Sequence, residues 1–245
     1  MPADQPTILA TSGGAKRGSR SELAFAPLVF HAIELSGVSS RTPRLCHLGT
    51  AVGDQRYRNA LLDEAGHAAG IHVTHLNLFP MPSVGDMAGF LLEHDVIWVG
   101  GGSVANLLAI WRLHGLDVIF ADVWRSGVVL AGVSAGSLCW HAGGTTDSFG
   151  PELRPVTNGL GLLPYSNGVH YDSEAQRRPL FEELIAQGVL PDGYATDDGV
   201  GLVYHGTKLV EAVSEVRGKA AYKVSRAGDR AREDRIEPRI LPGTF

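Results

Sequence analysis

One short segment of the chain combines a hydroxyl group with a backbone pattern that could activate it. Residues 128–131 have the character of a buried strand and continue into Gly132-Val133-Ser134-Ala135-Gly136, a Gly-x-Ser-x-Gly motif that opens a helix. A sharp strand-to-helix turn strains its corner residue, and side chains at the flanking glycine positions would clash there. The pattern therefore predicts that Ser134 is a nucleophile at the carboxyl edge of a sheet, with the N–H of Ala135 facing a developing oxyanion. The alternative is a tight turn without reactivity.

A serine nucleophile needs a general base, and the base needs an orienting carboxylate. Among the ten histidines, His170 is the best candidate because it ends a short extended segment just before a helix. Asp147, in a glycine-rich loop, and the pair Asp197-Asp198, before a strand, both remain candidates for the carboxylate. Sequence spacing does not choose between them, and either aspartate could simply cap a turn.

A second glycine cluster offers backbone N–H groups to the same site. Gly100-Gly101-Gly102 follows a predicted strand and precedes a predicted helix, so Gly101 and Gly102 are candidate oxyanion donors. Gly100-x-Gly102-x-x-Ala105 also fits a dinucleotide-binding fingerprint with Asp122 twenty residues further on. We set that alternative aside because Asp122 lies inside an amphipathic helix pattern and not at the end of a strand.

Elements that could position these residues follow an alternating pattern. Short apolar segments rich in β-branched residues alternate with segments of helical period, which predicts an α/β fold with a mostly parallel sheet covered by helices on both faces. The predicted strands are Thr7–Ala10, Leu45–Leu48, Ile71–Leu78, Val96–Val99 and Val128–Ala131, followed by Val200–Tyr204, Lys208–Val213 and Ala221–Ser225 in a late, partly antiparallel sheet. The predicted helices are Asn59–Ala69, Val104–Leu113, Val118–Arg125, Ala135–His141 and Glu174–Gln187.

Composition limits the classes of protein that the chain can belong to. Its 245 residues, 44% hydrophobic and 19% charged, predict a single domain spanning residues 1–245, with a charged tail or edge hairpin from about residue 226. A net charge of −5 argues against a nucleic-acid partner. Neither a signal peptide nor a membrane span is evident, and the two cysteines form no disulfide framework, so we expect a cytoplasmic protein. No metal-binding motif occurs, and we expect neither a metal nor a cofactor.

The ordered motifs resemble one known family. Gly100-Gly101-Gly102 with Asn106-Leu107-Leu108, then Gly132-Val133-Ser134-Ala135-Gly136-Ser137, then His170, are similar to the peptidase E (aspartyl dipeptidase) family of serine peptidases over about residues 96–204. That resemblance implies a three-layer sandwich with a class I glutamine amidotransferase-like fold. It also implies a serine hydrolase of small peptides with Ser134 as the nucleophile, His170 as the base, and Asp198 as the preferred third member over Asp147.

The substrate implied by the resemblance is a dipeptide with an amino-terminal aspartate. Arg177 and Arg178 match the family's basic segment and are the candidate partners of a substrate carboxylate, although a solvated helix face is the commoner role of such residues. Trp140, close to the motif, is expected to narrow the substrate pocket. Two alternatives are a cyanophycinase-like hydrolase of an aspartate–arginine polymer and a ligand-binding relative without turnover. The oligomeric state is open, with a homodimer as one option.

Overall fold

A computed structural model describes residues 3–243, which form sixteen strands and seven α-helices. The strands are β1 Thr7–Thr11, β2 Ala15–Lys16, β3 Ala24–Phe25, β4 Arg44–Leu48, β5 His72–His75, β6 Val96–Val99, β7 Val129–Val133, β8 His141–Thr146, β9 Arg154–Val156, β10 Leu163–Gly168, β11 Gly193–Thr196, β12 Val200–His205, β13 Lys208–Ser214, β14 Ala221–Ala227, β15 Arg230–Ile236 and β16 Arg239–Ile240. The helices are α1 Pro27–Leu35, α2 Arg56–Ala69, α3 Met87–Leu92, α4 Val104–Leu113, α5 Leu116–Arg125, α6 Ala135–Leu138 and α7 Arg177–Ala186.

The central feature is an eight-stranded sheet in the order β16-β13-β12-β1-β7-β6-β4-β5. Strands β1, β7, β6, β4 and β5 pair in parallel, and β12 is antiparallel to β1. Because parallel strands end at a common edge, the segments that follow β6 and β7 lie side by side. This arrangement brings the two glycine-rich segments of the sequence together.

Helices cover both faces of this sheet, as the alternating pattern predicts. Leu28 and Val29 of α1 pack on one face, and Leu107 of α4 and Phe120 of α5 pack on the other. All four side chains are buried, and burying each of them contributes about 1.5–3 kcal/mol to the hydrophobic stabilisation. The predicted α/β fold, with helices on both faces of a mostly parallel sheet, is therefore confirmed.

A second sheet of six strands, in the order β15-β14-β11-β10-β8-β9, was not predicted. It contributes Leu163 and Ala221 to the larger core and packs against α7 through a smaller one that contains Phe181 and Ile185. The strands predicted as one late sheet are divided, since β12 and β13 extend the eight-stranded sheet and β14 joins the six-stranded one. The charged segment after residue 226 forms β15, the outer strand of a hairpin with β14.

Two element boundaries differ from the predictions for physical reasons. The helix predicted as Ala135–His141 ends at Leu138, and His141 begins β8, so the prediction that this helix extends to His141 is wrong. The strand predicted as Ile71–Leu78 is shorter and spans His72–His75, because the N–H groups of Leu78 and Phe79 donate to the carboxylate of Asp54 and not to β4.

Within the described part of the chain, no single helix is long and apolar enough to cross a membrane. Helices α4 and α5 meet the length and composition requirements only when taken together, and they are bent by 91° at their junction.

Candidate active site

Ser134 occupies a strained corner between β7 and α6. Its backbone angles are φ 58° and ψ −114°, a combination that non-glycine residues rarely adopt. A Cβ atom added to Gly132 would lie 2.4 Å from the carbonyl oxygen of Gly136, and one added to Gly136 would lie 2.1 Å from that of Val99. Both glycines of the motif are therefore required by close backbone contacts, in agreement with the steric argument from the sequence.

His170 and Asp198 form a hydrogen-bonded pair. The Nδ1 atom of His170 lies 2.6 Å from Oδ1 of Asp198, and both side chains are partly exposed. Since an ionised carboxylate only accepts, His170 donates from Nδ1 and its Nε2 is free to accept a proton. Asp147 is exposed and lines a separate hollow beside Glu174. Of the two candidate carboxylates, the structure brings Asp198 to His170.

The end of β1 connects the nucleophile to the base. The N–H of Ser134 donates to the carbonyl of Thr11 at 3.0 Å, and the N–H of His170 donates to Oγ of Ser12 at 3.1 Å. His170 also has a positive φ of 53°, so the Ser12 contact holds a backbone conformation that is otherwise unfavourable. Among residues 3–243, Ser134 Oγ and His170 Nε2 are not hydrogen-bonded to each other, and such contacts are often longer before substrate binds.

Two backbone segments beside Ser134 carry the predicted oxyanion donors. Ala135 is the first residue of α6, so its N–H has no acceptor within the helix. A Cβ atom on Gly101 would lie 3.2 Å from Cβ of Ser134, whereas one on Gly102 would lie 2.6 Å from the carbonyl oxygen of Ala51. Gly101 thus faces the serine, and Gly102 turns the chain with a φ of 135° toward the segment around Ala51. The roles of Gly101, Gly102 and Ala135 stay predictions.

Two cavities meet at this edge of the sheet. One, of about 300 Å³, is lined by His170, Asp198 and Ser12 together with Gly13, Gly14 and apolar side chains. The other, of about 520 Å³, is lined by Gly100 and Gly101, by His47 and by polar residues of the first turn of α2. Trp98, Leu62 and Val133 contribute to both cavities. A substrate bound at Ser134, the residue that follows Val133, would have space on both sides.

The two arginines predicted to bind substrate are engaged elsewhere. Arg177 is 3% exposed, donates from Nε to Glu174 at 2.7 Å and from a terminal nitrogen to the carbonyl of Thr145 at 2.5 Å. Arg178 pairs with Glu233 at 2.9 Å, and its guanidinium lies over the rings of two tyrosines. Both arginines hold α7 against the second sheet, and neither contributes to the two cavities at Ser134.

Trp140 is also placed differently from the prediction. Its ring is fully buried and packs against Trp111 and Phe120 in the larger core, so the prediction that it narrows the pocket is wrong. Trp98, on strand β6, lines both cavities.

Two further residues support the pair but were not singled out from the sequence. Ser12 holds the His170 backbone, and Asp172 accepts a hydrogen bond from the N–H of Asp198 at 2.9 Å. Burial alone would raise the pKa of Asp172, but the ion pair with Lys219 and the Asp198 N–H outweigh it and lower this pKa. The only sequence signal for Asp172 is its position two residues after His170.

These features define a class of protein. An α/β fold of the class I glutamine amidotransferase type carries a serine, not a cysteine, at a strand-to-helix corner, beside a histidine–aspartate pair. Two solved structures share the fold. They are a Peptidase E protein from Listeria monocytogenes EGD-e (TM-score 0.58, 17% identity, 84% of this chain and 97% of that one) and a peptidase from an acI-B1 Actinobacterium (TM-score 0.67, 16% identity, 96% and 95%).

Sequence comparison assigns the family. The profile of Peptidase family S51 matches residues 8–212, so the chain belongs to this family of serine-type peptidases. It is 43% identical over 185 residues to the uncharacterized peptidase YgaJ of Bacillus subtilis (strain 168), covering 76% of this chain and 79% of that protein. It is 28% identical over 148 residues to Peptidase E of Streptomyces coelicolor (strain ATCC BAA-471 / A3(2) / M145), covering 58% and 57%. The predicted resemblance to peptidase E is confirmed.

Proposed function

We propose that this peptidase hydrolyses small peptides through an acyl-enzyme formed on Ser134, with His170 as general base and Asp198 as its orienting carboxylate. The observation that carries the proposal is the conjunction of the strained Ser134 corner with the 2.6 Å contact between His170 and Asp198 at the same sheet edge. A backbone held in an unfavourable conformation beside a cavity is characteristic of a functional position.

In the acylation step, His170 Nε2 takes the proton of the Ser134 hydroxyl as Oγ attacks the carbonyl carbon of the substrate. The negative charge that develops on the carbonyl oxygen is stabilised by N–H groups of Gly101 or Gly102 and of Ala135. His170 then gives its proton to the leaving amine, and the C–N bond breaks. Asp198 keeps the imidazole in the required tautomer and stabilises its cationic form.

In the second step, water attacks the ester formed on Ser134. His170 Nε2 accepts a proton from the water and returns it to Ser134 Oγ as the new acid leaves. Both steps use the same donors for the oxyanion, so one arrangement of backbone N–H groups serves the whole cycle.

Cavity size supports short substrates. Volumes of about 300 and 520 Å³ on the two sides of Val133 accommodate one or a few residues each, in the range usual for small-ligand sites. Arg177 and Arg178 pair with groups of the protein itself, so we do not assign them to an aspartate side chain of the substrate. Dipeptides are the smallest substrates that would occupy both cavities.

The test is a comparison of the parent protein with Ser134→Ala. A panel of dipeptides should be cleaved by the parent, and turnover should fall by about a million-fold in the variant because triad members act as a unit. A fluorophosphonate should modify the parent at Ser134, as located by mass spectrometry. Full activity of Ser134→Ala, or no modification of Ser134, would refute the proposed mechanism. Absence of both hydrolysis and labelling in the parent would favour a ligand-binding role.

A further inference from the structure

A series of hydrogen-bonded side chains, separate from the His170–Asp198 pair, ends in the larger cavity. His47 of β4, His75 of β5 and Trp98 of β6 are partners in the register of adjacent parallel strands, so their side chains form a row on one face of the sheet. Nδ1 of His47 lies 3.2 Å from Nδ1 of His75, and Nε2 of His75 lies 2.9 Å from Oδ1 of Asp63. This Asp63–His75–His47 chain plays no part in the mechanism above.

The outer nitrogen of His47 faces the glycine loop beside Ser134. A Cβ atom on Gly100 would lie 3.2 Å from Nε2 of His47, and the next residue, Gly101, faces Ser134. His47 itself is 5% exposed and lines the cavity together with Gly100 and Gly101. A substrate residue whose carbonyl is held at this loop would therefore direct its side chain toward His47.

The donor and acceptor of each hydrogen bond in the Asp63–His75–His47 chain can be assigned by starting at Asp63. The Asp63 carboxylate accepts, so His75 donates from Nε2, and a neutral His75 must then accept at Nδ1. His47 donates from its Nδ1 to His75, which leaves a lone pair on Nε2. Burial is the main cause that lowers the pKa of His47 to about 3. The charge of Arg58 and any charge on His75 act in the same direction, and the Asn59 side chain acts in the opposite one. His47 is thus a neutral acceptor.

Arg58 supplies the complementary donor. It lies in the first turn of α2, is exposed, lines the same cavity and makes no ion pair with another residue in the range 3–243. The cavity therefore presents a guanidinium, which only donates, and an imidazole nitrogen that accepts. A primary carboxamide matches this combination, since its oxygen accepts and its NH₂ group donates. A carboxylate would satisfy Arg58 but would place an acceptor against the His47 lone pair.

We propose that this cavity is a specificity subsite for a substrate side chain carrying a primary carboxamide, asparagine or glutamine, read by His47 Nε2 and Arg58. The inference rests on the proposed function, because it assumes that the substrate residue is held beside Ser134. An exposed ion pair contributes little, whereas a site built to hydrogen-bond a donor rejects an analogue that lacks one. Asparagine is therefore favoured over aspartate at this subsite.

Other charged groups near His47 set the conditions for the assignment. Asp63 and Arg58 belong to α2, and His75 belongs to β5. Asp54 lies near His47 on the other side of Gly49, and Glu22 lines the same cavity from the loop before β3. The assignment applies to neutral imidazole rings, so the preference is measured at pH 8, above the ordinary pKa of histidine.

The experiment measures binding of Asn-Leu and Asp-Leu to the Ser134→Ala protein by titration calorimetry, so that no turnover is required. We expect Asn-Leu to bind roughly tenfold tighter than Asp-Leu, the ratio produced by one net hydrogen bond in a buried site. His47→Leu should abolish the preference, and His47→Gln, which restores an acceptor, should retain most of it. His72→Leu, an exposed histidine on β5, is the matched control and should leave the ratio unchanged.

Equal or tighter binding of Asp-Leu, no binding of either dipeptide, or a preference that survives His47→Leu would overturn the inference. If His47→Leu fails to fold, Arg58→Met replaces it, because this exposed side chain can be removed without disturbing the core. Arg58→Met should weaken Asn-Leu binding at least threefold. Unchanged binding would equally contradict the proposal. Failure of the proposed function is seen separately, as absence of hydrolysis and of fluorophosphonate labelling in the parent protein.

Discussion

The orientation of the Asp198 carboxylate depends on a neighbour that does not touch the substrate cavities. Asp172 accepts the N–H of Asp198 with one oxygen and pairs with Lys219 through the other. Lys219 in turn has its pKa raised, chiefly by its hydrogen bond to Asp172. Asp172 is therefore a positioning residue, and its effect should reach Ser134 only through Asp198 and His170.

Replacing Asp172 with alanine should lower kcat by about fivefold and leave KM nearly unchanged, since the loss of one hydrogen bond to the Asp198 backbone corresponds to about 1 kcal/mol. The rate of fluorophosphonate labelling should fall in parallel, because labelling needs the same base but no bound peptide. Lys219→Met is the control; it removes the ion pair but keeps the acceptor, and should cost much less. A rise in KM alone would show that Asp172 acts on substrate binding and not on the pair.

Residues differ in how far their roles can be predicted from sequence. Ser134 is predictable because its motif, Gly132–Gly136, is contiguous and follows a clear strand pattern, even though the contact that requires Gly136 is with Val99 of β6. The burial of Arg177 is not, since its partner carbonyl at Thr145 lies on a strand that the sequence did not reveal. His47 and His75 meet only through the register of β4 and β5, and no spacing rule along the chain brings them together.

At the scale of elements, the corner between β7 and α6 sets the position of two strands at once. Gly136 lies so close to β6 that a Cβ atom would be 2.1 Å from the Val99 carbonyl oxygen and 2.6 Å from its carbon. Because backbone atoms cannot rotate away as side chains do, the end of β6 would have to move. Gly100 and Gly101 directly follow that end, so the loop that carries the candidate oxyanion donor Gly101 would move with it.

We therefore expect Gly136→Ala to lower the free energy of unfolding by about 1–3 kcal/mol, the usual cost of overpacking, and to reduce kcat more than this loss of stability would suggest. Urea unfolding and dipeptide hydrolysis measure the two effects. Gly85→Ala is the matched control because a Cβ there meets nothing within 4 Å. Equal behaviour of the two variants would show that the backbone contact is not limiting.

The bounds of strands and helices were predicted correctly where the hydrophobic period of the sequence is clear. Strand β6 and helix α4 have the predicted bounds, Val96–Val99 and Val104–Leu113. The second sheet was missed because β8, β10 and β11 contain glycine and polar residues, such as Gly143-Gly144 and Ser166-Asn167-Gly168, which lower strand propensity. Their stability comes from pairing across distant segments and from α7, and a local pattern does not carry that information.

At the scale of the whole molecule, two buried neutral histidines link stability to pH. Burial lowers the pKa of His47 to about 3 and that of His141 to about 4, with hydrogen bonding to the Ser137 carbonyl partly opposing the shift at His141. Between these values and the ordinary value near 6.5, the unfolded chain binds more protons than the folded one, so the free energy of unfolding falls as pH falls. Burial raises the pKa values of Asp54 and Glu215, and these carboxyls act in the opposite direction.

A variant comparison isolates the contribution of His141, because the carboxyl groups are common to both proteins. Between pH 7 and pH 5, the free energy of unfolding of the parent should fall by about 2 kcal/mol more than that of His141→Phe, the integral of one proton bound only by the unfolded chain. The Phe ring can retain the edge contact that His141 makes with Tyr204. Urea unfolding at both pH values gives the difference, with exposed His67→Gln as the control. Equal decreases in the parent and in His141→Phe would mean that His141 is protonated in the folded protein, and the neutral imidazole beside the Ser137 carbonyl would have to be abandoned.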